Sequence, residues 1–218
     1  MDKYVLIVAG GKGLRMGGDL PKQFIPMRGK PLLMHTLEAF HRWDASARII
    51  LVLPEDHQPY WNMLCKEIGC KVPHAIVKGG DTRFFSVKNG LDWLLAERRR
   101  KGEEDSGLSL VAVHDGVRPF VSPEVVEAWF EKAAGTGAVI PVVPMIDSLR
   151  ETDEKGSHPV DRSRYMAVQT PQVFLLELLT KAYEQPYSSL FTDDASVVEA
   201  MGHAIDTVPG DRENIKIT

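Results

Sequence analysis

Six short runs of β-branched and aliphatic residues punctuate the chain, at 4–8, 49–53, 75–77, 110–113, 138–143 and 204–208. Each is almost continuously apolar rather than alternating, the pattern of a strand covered on both faces of a parallel sheet. Helical patterns separate them, at 32–40, 59–68, 87–99, 123–134, 175–183 and 193–201. Parallel neighbours need a crossover between them, so this alternation predicts an α/β fold with a Rossmann-like, mostly parallel sheet and helices on both faces. Ser122-Pro123-Glu124 reads as a cap, a proline at the first helical position and an acid in the first turn. Thr192 with Asp193 and Asp194 supplies a capping hydroxyl and two carboxylates at another helix start.

One stretch breaks the rhythm. Residues 144–170 are polar, lack helical periodicity and carry turn signals around 153–156 and 157–159. They predict a long hairpin arm on a single domain spanning 1–218, of the kind that makes dimer contacts. A chain of 218 residues buries roughly 70% of its unfolded surface and so forms its own core.

Composition excludes several classes. With 26 basic and 30 acidic residues the net charge is −4, so no global field draws the chain to nucleic acid or an anionic membrane. Apolar stretches reach only about seven residues against the roughly 20 needed to span a bilayer. The N-terminus lacks the flanks of a signal peptide, and two cysteines make no disulfide framework, which predicts a cytoplasmic protein. Cys65 and Cys70 read as packed thiols, Cys65 on an apolar helix face with no metal-site spacing around it.

The chemistry sits in the turns. Ala9-Gly10-Gly11-Lys12-Gly13-Leu14-Arg15 leaves the first strand, and three glycines in four residues let backbone N–H groups approach an anion. The turn is either a bare βα connection or a phosphate nest. It is not a P-loop, and Met16 stands where the dinucleotide fingerprint needs glycine or alanine. Lys12, Arg15 and Lys22 add cations, which favours a polyphosphate. Gly79-Gly80-Asp81-Thr82-Arg83, with Ser86 beyond, is a second glycine turn, either routine or a wall for a base or ribose. His114-Asp115-Gly116-Val117-Arg118 ends the fourth run; Asp115 suits Mg²⁺ beside phosphates, with Arg118 either forking onto a phosphate or pairing with Asp115. A histidine metal site finds no ligand spacing, and no nucleophilic triad is evident. Lys216 lies in a strand-like run near the end. Arg98-Arg99-Arg100-Lys101 precedes acidic residues and reads as a solvated helix end.

Taken together, these blocks resemble the 2-C-methyl-D-erythritol 4-phosphate cytidylyltransferases. The resemblance runs from Ala9-Gly10-Gly11-x-Gly13-x-Arg15-Met16 and Pro21-Lys22-Gln23 through Gly80-Asp81-x-Arg83-x-x-Ser86 and His114-Asp115-x-x-Arg118-Pro119. It continues with Asp147-Ser148, Val160-Asp161-Arg162, Gln169-Thr170-Pro171-Gln172, Thr192-Asp193 and Asn214-Ile215-Lys216. It implies transfer of CMP from CTP to methylerythritol phosphate with release of pyrophosphate. Ala9, Gly10, Gly11, Gly13, Gly80, Asp81 and Ser86 would hold CTP. Arg15, Lys22 and Lys216 would surround the α-phosphate, and Asp115 would help bind Mg²⁺ or another divalent cation. Arg118, Ser148, Arg162, Thr170, Thr192 and Lys216 would face the acceptor, with the arm completing a neighbour's site in a homodimer. The family often has threonine at Ser148 and continues past the block that here ends at Thr218. Ribitol-5-phosphate cytidylyltransferases share the glycine loop and His-Asp-x-x-Arg-Pro, a nucleotide-sensing module would keep the fold without turnover, and Met16 disfavours a nicotinamide dehydrogenase.

Overall fold

The structure, a computed structural model, describes residues 1–10, 20–103 and 107–218. In chain order the strands and helices are β1 (Asp2–Val8), β2 (Pro26–Met27), β3 (Lys30–Pro31), α1 (Leu32–Trp43), β4 (Arg48–Leu53) and α2 (Gln58–Ile68). Then follow β5 (His74–Lys78), α3 (Arg83–Lys101), β6 (Ser109–Asp115), α4 (Pro123–Thr136), β7 (Ala138–Pro144), β8 (Leu149–Asp153) and β9 (Gly156–Val160). The last are β10 (Met166–Val168), β11 (Gln172–Leu175), α5 (Leu176–Ala182), α6 (Asp194–Glu199) and β12 (Asp206–Pro209).

The main sheet runs β10-β7-β11-β6-β1-β4-β5, with β12 parallel along β7. β6, β1, β4 and β5 are mutually parallel, so their C-terminal ends share one edge. β10 and β11 are antiparallel. β11 is not among the apolar runs, and only its last residue, Leu175, falls in the helical pattern at 175–183; Val173 and Phe174 are fully buried between β6 and β7. A short apolar run fits either state, and tertiary burial decides it.

Strand alternation splits the core in two. Val5, Ile7, Leu51 and Ala112 face Leu33, Leu37, Phe40, Trp61 and Phe130 of α1, α2 and α4. Tyr4, Leu6, Val52 and Val113 face Phe84, Leu91, Leu179 and Val198 of α3, α5 and α6. Both faces being covered explains why the runs read as continuously apolar. β8 and β9 form a separate two-stranded antiparallel sheet, mostly exposed, with Pro159 inside β9 rather than in a turn.

Two caps differ from expectation. Asp193, not Thr192, caps α6: its carboxylate accepts from Ser196 N–H at 2.9 Å while Ser196 Oγ accepts from Asp193 N–H at 3.2 Å. Ser122 stands before α4, but its hydroxyl donates to the Glu124 carboxylate and makes no cap bond. α3 begins earlier than its apolar pattern, at Arg83, because Thr82 accepts from Phe85 N–H at 3.3 Å.

α3 lies close on the sheet at Gly90, where a Cβ would stand 2.6 Å from Leu6 Cδ2 and 3.0 Å from Val52 Cγ2. Gly90→Val should therefore destabilise the fold by about 1–3 kcal/mol through overpacking, read as a lower urea midpoint. An unchanged midpoint would show that this contact is not tight.

Candidate active site

The C-terminal edge of β5, β4, β1 and β6 carries the turns singled out in the sequence. Ala9 N–H donates to Val52 O at 3.0 Å, Gly79 N–H to Leu53 O at 2.8 Å and Gly116 N–H to Val8 O at 2.9 Å. The strand ends are thus stitched together just where the turns leave them. Gly11, Gly13 and Arg15, with Lys12, lie outside the described residues.

Ser86 joins the two glycine turns. Its hydroxyl oxygen accepts from Gly80 N–H at 3.1 Å and reaches Thr82 O at 2.9 Å. Gly10 faces it so closely that an added Cβ would touch Ser86 Oγ at 3.9 Å, and one on Gly79 at 3.4 Å. At Gly80 the space is closed by Phe85 Cβ, 2.5 Å from where a Cβ would stand, so only glycine fits this turn. Ser86 is buried, and its hydroxyl shapes the turn; Asp81 is exposed beside it.

Lys22 opens a short 3-10 turn, Lys22–Phe24, anchored by its neighbours. Buried Gln23 donates from Nε2 to Ala9 O at 2.9 Å and lies 3.1 Å from His57 Nδ1. Phe24 stacks on Trp61 at 6.4 Å and meets Tyr60 edge-on at 5.1 Å. The backbone of Lys22 is thereby pinned beside the end of β1, while its own side chain stays partly exposed. Gln23 appears in the sequence motif without a role, and nothing local shows that its amide turns inward.

Lys216 reaches the same edge from the other end of the chain. Its Nζ lies 3.1 Å from Asp115 Oδ2, and Arg118 Nε donates to the same oxygen at 3.1 Å. In register, Asp115 pairs with Val8, one residue before the Ala9 carbonyl that holds the Lys22 turn. The two lysines are therefore anchored on the ends of adjacent strands, about 5 Å apart. The stretch around Lys216 is not a strand; hydrogen bonds strap it down instead. Ile217 N–H donates to Val117 O at 3.0 Å, Arg118 Nη1 to Asn214 O at 2.8 Å and Asn214 Nδ2 to Thr170 O at 2.8 Å. Gln169 adds Nε2–H to Asp211 O at 2.7 Å and accepts from Asp211 N–H at 3.0 Å.

Of the two readings for Arg118, the pair with Asp115 is the one that forms. With Nε and Nη1 engaged, the guanidinium cannot present its full fork to a phosphate. Thr170 is buried and engaged too: Oγ1 accepts from Asp115 N–H at 3.1 Å and donates to His114 Nδ1 at 3.1 Å. His114 Nε2–H then donates to Arg118 O at 3.1 Å. Burial holds this imidazole down at about 4, so it is neutral near pH 7. Burial pushes the Asp115 carboxyl up, but Lys216, Arg83 and Arg118 outweigh it and hold it at about 2. The result is a carboxylate ionised near pH 7 with two cations in contact.

Arg83 pairs with Asp194 through two hydrogen bonds, Nη1 to Oδ1 at 2.9 Å and Nη2 to Oδ2 at 2.5 Å. Tyr183, its hydroxyl raised well above the ordinary range by burial, donates to Asp194 Oδ1 at 2.6 Å. Gln172 donates to Asp193 Oδ2 at 2.8 Å and accepts from Ala195 N–H at 3.0 Å. These bonds fix the start of α6, and with it exposed Thr192, against the start of α3. Ser148 and Arg162 lie at the base of the β8–β9 hairpin, both exposed, with Arg162 donating to Ile146 O. Among the described residues, no hydrogen bond or ion pair joins either of them to Asp115, Arg118 or Lys216.

As a divalent-cation ligand, Asp115 is one hard, ionised oxygen donor. No group of three or more His, Cys, Asp or Glu forms an all-protein cage among the described residues. That donor set suits Mg²⁺, which takes one or two carboxylates and completes its shell with phosphate oxygens and water. None of the helices among the described residues is long and apolar enough to cross a membrane.

Comparisons agree over the length of the chain. The profile of the 2-C-methyl-D-erythritol 4-phosphate cytidylyltransferase family matches residues 4–218. A protein of that name from Bacteroides fragilis is 54% identical over 218 residues, covering 100% of this chain and 94% of the relative. One from Alkaliphilus metalliredigens is 39% identical, covering 98% and 87%. The crystal structure of 2-C-methyl-D-erythritol 4-phosphate cytidylyltransferase from Thermus thermophilus superposes with a TM-score of 0.76 at 32% identity, covering 100% and 93%.

Asp194→Asn leaves Arg83 and Tyr183 around a neutral amide. Because Asp194 is fully buried while Arg83 is partly exposed, the loss should be about 2–3 kcal/mol in urea unfolding. A loss near zero would show that the pair does not hold α6 in place.

Proposed function

The chain belongs to the 2-C-methyl-D-erythritol 4-phosphate cytidylyltransferase family, and from that premise we propose which of its residues carry the reaction. The enzyme transfers CMP from CTP to 2-C-methyl-D-erythritol 4-phosphate, forming CDP-methylerythritol and releasing pyrophosphate. One observation carries the assignment of its centre: Lys216 and Arg118 converge on Asp115, on the strand next to the one that anchors Lys22.

An oxygen of the acceptor phosphate attacks the α-phosphorus of CTP. The new P–O bond forms as the bond to the bridging oxygen breaks, and pyrophosphate leaves with that electron pair. A phosphate dianion is already a nucleophile, so no general base is required. His114 fits this reading, since both its ring nitrogens are engaged within the protein. The difficulty lies in bringing two polyanions together and stabilising the charge that grows around phosphorus. Lys22, Lys216 and Arg15 serve that purpose, as preorganised cations count most where charge develops. Asp115 orients Lys216 and would hold a divalent cation, Mg²⁺ by its donor chemistry. Bound there, the ion would offset phosphate charge alongside the lysines.

The turns of Ala9, Gly10, Gly11 and Gly13 and of Gly80, Asp81 and Ser86 form the CTP pocket, a reading supported by the glycines, which place no Cβ between a ligand and the backbone. The acceptor lies toward Thr192 and Lys216. Arg118 and Thr170 act by positioning, since their polar groups are engaged in the turn. Ser148 and Arg162 belong to the same acceptor site across a homodimer. Supporting that reading, Ile146, Tyr165, Met166 and Val168 are exposed apolar side chains around the hairpin base.

Pyrophosphate release measured with CTP and each of methylerythritol phosphate and ribitol phosphate tests the reaction; turnover with ribitol phosphate alone would overturn it. Lys22→Ala and Arg15→Ala should each lower kcat by about 10²–10³ with smaller effects on CTP affinity. Wild-type turnover in either variant removes that residue from the centre. Arg162→Ala and Lys216→Ala should each be inactive alone. Mixed and allowed to exchange subunits, they should regain about a quarter of wild-type activity, since half the dimers then hold one intact site. No recovery despite exchange would place arm and lysine in the same subunit's site.

A further inference from the structure

α2 ends in a way its sequence does not announce. Gly69 adopts a left-handed conformation at φ 78°, and two successive N–H groups fold back onto one carbonyl. Gly69 N–H reaches Cys65 O at 3.0 Å and Cys70 N–H reaches the same oxygen at 2.9 Å. The second bond closes a Schellman-type turn, in which the side chains at its two ends meet. That contact is ordinarily apolar; here both residues are cysteine.

The backbone bond also limits their separation. A 2.9 Å N···O distance with standard bond lengths keeps the two Cα atoms within about 6.8 Å, inside the range a disulfide spans. The two thiols are close enough to alter each other's ionisation. Both are half-buried against the core on one side, while Lys66, Glu67, Ile68, Gly69 and Lys71 around them are exposed. Neither cysteine is hydrogen-bonded or ion-paired to a residue of the nucleotidyl-transfer site among the described residues.

We propose that Cys65 and Cys70 are a vicinal dithiol that small-molecule disulfides oxidise to an intrachain disulfide. The pair is asymmetric. The neighbouring Cys65 thiol and Val72 N–H hold the Cys70 thiol below its ordinary value against burial, with Lys30 assisting and Glu38 opposing. The neighbouring Cys70 thiol, with burial, pushes Cys65 up. The exchange opens with a thiolate, here that of Cys70. It displaces one thiolate from oxidised glutathione and becomes a mixed disulfide. Cys65, losing its proton to solvent, then attacks the Cys70 sulfur and expels the second glutathione thiolate. Two protein thiols are oxidised, one glutathione disulfide is reduced to two thiols, and no further oxidant is needed.

The test equilibrates the native full-length protein in buffers of rising oxidised-to-reduced glutathione ratio, then quenches with an alkylating reagent. Intact-mass and peptide analysis should show a form lighter by two hydrogen atoms that takes up no alkyl group and is restored by dithiothreitol. Cys65→Ser should stop at a glutathione adduct on Cys70. Cys70→Ser should likewise stop at a glutathione adduct on Cys65. Two alkylatable thiols at every ratio, or adducts on both cysteines without the internal bond, would overturn the proposal.

Discussion

A carboxylate buried at the end of a fully covered strand must be neutralised, and much of this structure follows from that requirement. Asp115 closes β6, every residue of which is buried. Left alone, an ionised group there would cost several kcal/mol. Arg118 answers from three residues away and Lys216 from a hundred residues further on. Bringing Lys216 back demands a strap, which Gln169, Arg118 and Val117 supply through hydrogen bonds to or from the backbone of 211–217, while the Asn214 side chain donates to Thr170 O. The same cations then stand at the sheet edge where a polyanionic substrate would arrive. In the proposed assignment, Lys216 serves both the fold's own charge and the substrate's.

The edge itself is shaped by what is missing from it. At Gly80 a side chain would strike Phe85, and at Gly116 it would strike Ala9. Between Gly10 and Gly79 sits Ser86, buried and hydrogen-bonded to the Gly80 turn. The helices behind this edge are locked by contacts with little freedom: Gly90 against Leu6 and Val52 on one face, Gln23 and Phe24 against Ala9 and Trp61 on the other. Such supports fix the backbone from which Lys22 projects, and a cation placed before the substrate binds is where electrostatic catalysis draws its advantage.

Much of the architecture was legible in the residues. The apolar runs at 4–8, 49–53 and 110–113 became β1, β4 and β6 with one or two residues added at their ends. The proline at 123 did open a helix. What could not be read was direction and pairing. β11 merges in sequence with α5, since Val173-Phe174-Leu175-Leu176 suits a strand or a buried helix equally well. Asp193 rather than Thr192 became the α6 cap because Ser196 reciprocates its bond. The thiol pair escaped too, because residues five apart are not neighbours on a helix; only the left-handed turn at Gly69 makes them so.

The sequence by itself determined the class of fold, the glycine turns and the stock of cations, because hydrophobic periodicity and backbone permissiveness are local properties. It also carried the ordered blocks by which the family is recognised. Only the tertiary structure decided which charges meet. Arg83 with Asp194, Arg118 with Asp115, and Lys216 with that same carboxylate are choices among many possible partners in one chain. Burial makes those choices, since desolvation penalises every unpaired group at once and the chain must satisfy them together.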